Sequence, residues 1–416
     1  MSDADLTTVF RAEHGRIVAT LARRLGDLDL AEDATSEALL VAVERWPVEG
    51  IPPNPGAWLT TVAGNKALDR IRREGRRDTK EAEAALMATQ LSGGSAEPGG
   101  PIDDDRLRLV FTCCHPALAL ENRVALTLRL LGGLTVAEIA HAFLVPERTM
   151  EQRITRAKKK IAAAHIPYRV PAATDLPARV SGVLAVLYLV FNEGYLSSGV
   201  VSRTAGPDAA APVAVRAELC QEAIRLTRLV TSLLPDEPEP LGLLALMLLV
   251  QARSDARVVD GALVTLDAQD RTLWDGALID EGHALVRRCL AIGRPGPYQL
   301  QAAINAVHCD AVDASMTDWS QIRALYDQLM VVAPSPVVAL NRAVAVAELD
   351  GPQVGLALAD AVAGSLDGYH AFHATRADLL RRLGRVVEAG DAYARAIELA
   401  GNPAERAWLT RRRSQL

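Results

Sequence analysis

The stretch Thr135 to Lys160, TVAEIAHAFLVPERTMEQRITRAKKK, constrains the chain most, because it reads as a short helix, a four-residue turn and a second helix with a basic far half. Val136, Ile139 and Ala140 recur at i, i+3 and i+4 and mark a buried stripe, with Glu138 and His141 outside it. Phe143-Leu144-Val145-Pro146 breaks the pattern, and Pro146 suits a turn or the first position of the next helix. There Arg148, Thr149, Gln152, Arg153 and Arg156 share one face while Met150, Ile154 and Ile161 take the other. Lys158, Lys159 and Lys160 extend the positive charge. Such a helix fits the major groove of DNA, its polar face reaching base edges and phosphates. A solvated helical hairpin gives the same pattern, and a second element decides between them.

That element lies upstream. Pro53 and Pro55 stop what precedes, and Trp58, Leu59, Val62 and Ala63 form the buried stripe of a new helix. From Trp58 to Lys80 there are seven Lys or Arg against three Asp or Glu. Arg70, Arg72, Arg73, Arg76 and Arg77 gather guanidinium groups, which suit phosphate. Asn65 and Lys66, beside a Gly that can loosen the helix, suit an unstacked base, whose Watson–Crick edge an amide can read. Before Trp58, residues 29 to 43 form another helical pattern with Leu30, Ala34, Ala38 and Val41 inward. Asp29, Asp33 and Glu37 then share an exposed acidic face, which repels DNA and serves either to dock a basic protein or simply to meet solvent.

Composition sets the frame around these motifs. The chain has 416 residues, 50% hydrophobic but only 4% aromatic, which favours an all-α protein of two or three domains. Its longest apolar runs, Val183 to Phe191 and Leu241 to Val250, are about half of what spans a bilayer, and the start MSDADLTTVF lacks the regions of a signal peptide. A cytoplasmic protein without membrane contact is expected. Five cysteines without paired spacing fit a reducing compartment. Residues 1 to 170 hold 23 basic and 23 acidic side chains, so the remainder accounts for the net charge of −6. An acidic second half suits protein contact, including contact with the basic faces of the first half.

From about Ser181 onward every segment is helical in pattern, with Pro-rich breaks at Pro235 to Pro240. Ala377, Leu380, Ala389, Tyr393 and Ala396 have the small-and-large spacing of a tetratricopeptide unit. A shift of 34 residues gives Ala343, Val346, Gly355, Ala359 and Val362, and a weaker copy holds Tyr326, Leu329 and Pro334. Between these helices, Asp255, Arg257, Asp267, Gln269, Asp270, Arg271, Trp274 and Asp275 crowd carboxylates, guanidiniums and a Trp into one stretch. Two carboxylates and an Arg can do acid–base work, but neither a His nor a Gly-rich phosphate loop accompanies them, and Asp–Arg pairs supporting a loop are the stronger reading. Cys113-Cys114-His115 has no second ligand pair nearby, and His370 with His373 lacks a third ligand, so no metal, cofactor or catalytic residue is assigned.

The order DLDLAEDATSEALLVAVERW, WLTTVAGNKALDRIRRE, acidic linker, TVAEIA…TMEQRITRAKKK resembles regions two and four of bacterial RNA polymerase sigma factors, best the extracytoplasmic-function group. The resemblance covers about residues 7 to 168. It implies a region 2 domain over 7–78, a flexible acidic linker over 79–105, whose Leu91 to Pro101 is too polar to fold, and a region 4 domain over 106–168. A helical extension over 181–299 and degenerate tetratricopeptide-like repeats over 300–412 follow. The partners implied are core RNA polymerase, through its clamp and flap, and promoter DNA. Asp29, Asp33 and Glu37 would face the clamp. Asn65, Lys66 and Asp69 would lie in the loop and helix start that capture a flipped −10 base, with Arg70, Arg72, Arg73, Arg76 and Arg77 on phosphates. Arg148, Thr149, Gln152, Arg153 and Arg156 would read the −35 element, with Lys158, Lys159 and Lys160 on the backbone. Trp58 is the sole aromatic of the melting segment, so strand opening is expected to depend on a good promoter. Asp255, Arg257, Gln269, Asp270, Arg271, Trp274 and Asp275 resemble a segment of the sigma subgroup with a tetratricopeptide-like extension, which implies a structural or regulatory role and intramolecular control. The alternatives are a helix-turn-helix regulator with a ligand- or partner-sensing domain, which binds duplex DNA alone, and an enzyme centred on the Asp255 to Asp275 carboxylates.

Overall fold

The computed structural model describes residues 3–75, 105–143, 145–197, 210–259 and 262–416, so the expectations for Arg76, Arg77 and nearly all of the linker fall outside it. Two units divide the chain, residues 1–190 and 191–416.

In the first unit α1 (Asp3–Leu25), α2 (Leu28–Glu49) and α3 (Pro55–Gly75) pack on one another. Asp27 starts α2 by accepting from the N–H groups of Asp29 and Leu30 at 2.8 and 3.1 Å, and Asn54 accepts from Ala57 N–H at 3.0 Å at the start of α3. Between its two neighbours α2 buries Ala31, Ala34, Thr35, Ala38, Ala42 and Trp46. Leu30 and Val41, expected inside, are half-buried at the edges, because contact on both flanks favours small residues that let the backbones approach. Trp46 closes this core with its ring 5.6 Å from Phe10 and 5.4 Å from Trp58.

The same unit continues with α4 (Asp105–Cys113) and α5 (Leu120–Leu126), which runs into a π turn over Thr127–Leu131. Gly133 turns the chain at φ +70°, and α6 (Val136–Ala142) and α7 (Glu147–Ala163) follow. Thr135 and Glu138 form a capping box at α6: Glu138 Oε2 accepts from Thr135 N–H at 2.7 Å, and Thr135 Oγ1 accepts from Glu138 N–H at 3.1 Å. Asp105, placed in the linker by sequence, is instead the first residue of α4. It takes charged hydrogen bonds from Arg23 at 2.9 Å and Arg108 at 2.7 Å, so an acid in a first turn is held by two guanidiniums. Cys113 and Cys114 are buried, and burial pushes the Cys114 thiol up to about 11.

Helix α8 (Leu176–Ser197) is, over Leu176–Tyr195, long and apolar enough to cross a membrane, a length that the run Val183 to Phe191 alone did not reach. Its Val183, Leu184, Val186, Leu187, Val190 and Phe191 are fully buried in protein.

In the second unit α9 (Ala210–Leu233) and α10 (Pro238–Gln251) lead to an antiparallel pair, β1 (Val258–Val259) and β2 (Ala262–Leu263), with Val258 opposite Leu263. Beyond two 3-10 turns come α11 (Gly276–Ile292), α12 (Pro297–Asp310), α13 (Trp319–Val332), α14 (Pro336–Asp350), α15 (Pro352–Asp360), α16 (Ala363–Leu366), α17 (His370–Arg382), α18 (Val386–Leu399) and α19 (Pro403–Arg413). Among the described residues the fold is all-α apart from that two-residue pair. The 34-residue register is built into one core: Ala343, Ala359, Ala377, Leu380, Ala389, Tyr393 and Ala396 are all fully buried in it. Gly355 is small for a reason, since a Cβ there would stand 2.4 Å from the Ala347 side chain.

Candidate nucleic-acid interface

Helix α7 separates its two faces cleanly. Met150, Ile154, Ala157 and Ile161 are buried, while Arg148, Gln152, Arg156, Lys159 and Lys160 are exposed and Thr149 and Arg153 half-buried. The buried stripe fixes the helix on α5, and the opposite stripe is left to offer guanidinium, amide and ammonium groups to a polyanion. Lys158 does not belong to that stripe. It follows Ile154 by four residues, so it points inward, where its ammonium lies 2.6 Å from Asp29 and 2.5 Å from Glu32 of α2. The expected phosphate contact is therefore replaced here by an internal ion pair.

Helix α3 carries Asn65, Lys66, Asp69, Arg70, Arg72 and Arg73 on its outer surface. Contrary to the expected loop and helix start, the helix runs unbroken through Gly64, which is buried between Ala63 and Asn65. Asn65 and Asp69 thus lie one turn apart on a rigid rod, both exposed. Trp58 is half-buried against Trp46 and belongs to the core, so it is a poor platform for a base.

The acidic face of α2 is not bare. Asp33 pairs with Arg70 at 2.6 Å, Glu37 with Lys66 at 3.8 Å and Asp29 with Lys158 at 2.6 Å. Each residue expected to meet polymerase is thus neutralised by one expected to meet DNA. Sequence reasoning passed over Glu32, which is buried beside Ala31 and paired with both Arg129 and Lys158. Burial raises the pKa of this carboxyl, but the charges of Arg129 and Lys158 outweigh it and hold it below the usual carboxylate range. Lys158 mirrors it: burial lowers the ammonium, and Glu32 and Asp29 raise it above its ordinary value. Two further contacts join residues 105–168 to α1. Tyr168 Oη lies 2.9 Å from the Ala19 carbonyl and 3.1 Å from that of Asp105, and His14 Nδ1 lies 3.3 Å from the Leu130 carbonyl.

This geometry agrees with the comparisons. The sigma-70 region 2 family matches residues 9–77, the sigma-70 region 4 family residues 108–161, and a family of unknown function (DUF6596) residues 179–290. A probable ECF RNA polymerase sigma factor SigI of Mycobacterium tuberculosis is 29% identical over 204 residues, which is 47% of this chain and 70% of that protein. The ECF RNA polymerase sigma factor SigK of Mycobacterium ulcerans is 28% identical over 143 residues, 33% of this chain and 74% of that protein. The chain is an extracytoplasmic-function sigma factor with a C-terminal extension. An uncharacterized protein of Rhizobium meliloti is 45% identical to this sigma factor over 398 residues, 94% of the chain and 91% of the relative, so the extension is shared between them.

Within the extension, the stretch from Asp255 to Asp275 is scaffolding of a kind different from the expected Asp–Arg pairs. Asp270 caps a 3-10 turn by accepting from Thr272 N–H at 2.9 Å, and Asp275 caps α11 by accepting from Ala277 and Leu278 at 2.9 and 3.1 Å. The arginines bond carbonyls instead: Arg257 donates to Tyr195 O at 2.6 Å, and Arg271 to His308 O and Ala311 O, each at 2.7 Å. Arg271 also lies 4.5 Å above the Trp274 ring, and Gln269 donates to Val264 O at 3.3 Å. Asp255 is exposed and, among the described residues, accepts from Ser254 Oγ at 3.1 Å. Asp270 and Asp275 cap turns because Asp in a chain break finds N–H groups before it finds a cation.

Proposed function

We propose that this sigma factor recognises −10 and −35 promoter elements in the cytoplasm and starts transcription with core RNA polymerase, under the control of residues 191–416. The observation that carries the reading is the divided surface of α7, whose exposed Arg148, Gln152 and Arg156 are spaced to follow a major groove while Lys159 and Lys160 reach its backbone. Arg70, Arg72 and Arg73 on α3 hold phosphates of the opened strand, and Asn65 with Lys66 and Asp69 meets its bases. Asp29, Asp33 and Glu37 take the clamp. Since these acids are engaged by Lys158, Arg70 and Lys66, the polymerase and DNA exchange partners with an existing set of ion pairs. The bonds of the transcript are made by the polymerase, and the sigma factor contributes binding alone.

Run-off transcription with purified core polymerase on a promoter pool tests this. The full chain is expected to give polymerase-dependent transcripts, and Arg148→Ala with Gln152→Ala to remove most of them while core binding persists. A chain ending at Val190, checked for helicity, reports the sign of control by the extension. Duplex binding by the full chain without polymerase, and no transcript with it, would replace this reading with a conventional regulator.

A further inference from the structure

The unit of residues 191–416 holds a half-open cavity of about 700 Å³. Residues 263–268 and Arg271 form one wall, and the ends of α14, α17 and α19 form the other. Helix α19 packs on β2, so the hairpin segment lies against the last helix of its own array. What remains is a half-open compartment. Its volume falls among sites for small molecules, which run from about 300 to 1,000 Å³.

The charge inside this compartment opposes that of the unit around it. Residues 191–416 carry 21 arginines and no lysine against 27 acidic side chains. Yet Arg271, Arg381, Arg382, Arg411 and Arg412 line the cavity, with Asp267, Glu348 and Asp378. Acceptors run short. Asp378 alone serves Arg381 at 2.7 Å and Arg412 at 3.2 Å, and Glu348 serves Arg382 at 2.6 Å. Arg412 Nε is buried without a hydrogen-bond partner, and Arg411 has no ion-pair partner among the described residues. A fixed guanidinium fork pairs phosphate or carboxylate oxygens two at a time. Trp319 and Trp408, two of the five tryptophans, are half-buried and line the same space, which adds ring faces to the cations.

We propose that this cavity binds a small anion joining a planar ring to at least two negative charges, the chemistry of a nucleotide. Guanidiniums of Arg381, Arg382, Arg411 and Arg412 take the anionic end, and Trp319 or Trp408 takes the ring. The bound molecule ties residues 263–271 to α19, so occupancy fixes the hairpin to the end of the chain. This site is independent of the promoter reading and survives its failure.

Isothermal titration of the full chain with ATP, pyrophosphate and adenosine tests the proposal. ATP is expected to bind at least tenfold more tightly than either fragment, and to slow hydrogen exchange at residues 263–271 and 403–415. Arg411→Glu, an exposed substitution that spares the core, weakens ATP at least tenfold. Ala268→Trp, which fills the compartment from its exposed rim, removes binding with helicity intact. Failure of ATP to bind at millimolar concentration overturns the proposal, as does pyrophosphate binding as tightly as ATP, or an Arg411→Glu chain that binds ATP like its parent.

Discussion

At the scale of single residues, Glu32 governs how the first unit holds together. Its carboxylate is desolvated and answered by two cations from residues 105–163, so removing its charge leaves Arg129 and Lys158 facing each other. Glu32→Gln is expected to cost about 3 kcal/mol, in the range for breaking a buried ion pair, as read by denaturant unfolding of the first unit. The pH dependence follows from the two shifts. Glu32 is held below its ordinary value of 4.5, so its contribution is full above that pH and is lost as pH falls through the lowered value. Lys158 is held above 10.5, so its contribution is full below that pH and is lost as pH rises through the raised value. Protease protection of residues 105–163 should therefore be flat at neutral pH and fall at both extremes. None of this pairing was legible in the sequence. A lone Glu beside an alanine stripe reads as solvated, and only the docking of α7 on α2 reveals that its flank is covered.

Secondary-structure elements were legible where one side of a helix is apolar. Met150, Ile154 and Ile161 placed α7 correctly, and the repeat spacing of Ala343 and Ala377 placed two helix pairs of the extension, because burial of a stripe imposes the helical period. The reading failed where geometry depends on neighbours. Gly64 suggests a loosening point in the sequence, but packing on both sides keeps α3 continuous. In the Asp255 to Asp275 stretch, where the sequence suggests Asp–Arg pairs, Asp270 and Asp275 cap turns instead. The Thr135–Glu138 box is written in the sequence as T-x-x-E, and Thr135→Ala should cost the first unit about 1 kcal/mol, measurable as a lower Tm. On α7 itself, Lys159→Ala and Lys160→Ala should each lower the salt dependence of promoter binding by about one unit of log–log slope without changing base preference.

For the molecule as a whole, the first unit is closed by its own future contacts. Asp29 engages Lys158, Asp33 engages Arg70 and Glu37 engages Lys66, so a chain without polymerase satisfies with itself the groups proposed to meet polymerase and DNA. Carbodiimide should join Lys158 to Asp29 or Glu32 in the free chain and fail to do so in a transcribing complex; undiminished coupling there would mean that the contact survives engagement. For Asp33–Arg70 and Glu37–Lys66 such exchange keeps the loss on opening small, because both pairs are exposed or partly exposed and are remade with partners of the same sign.

Gly15 gives this closure a genetic handle. It faces the π turn so closely that a Cβ would sit 2.8 Å from the Leu131 carbonyl oxygen, with no room to yield except by moving backbone. A single base change can turn Gly into Ala, and the added methyl would act as a wedge between α1 and residues 127–131. Selection for unprompted promoter activity should therefore recover alleles at this codon, far from any residue proposed to touch DNA.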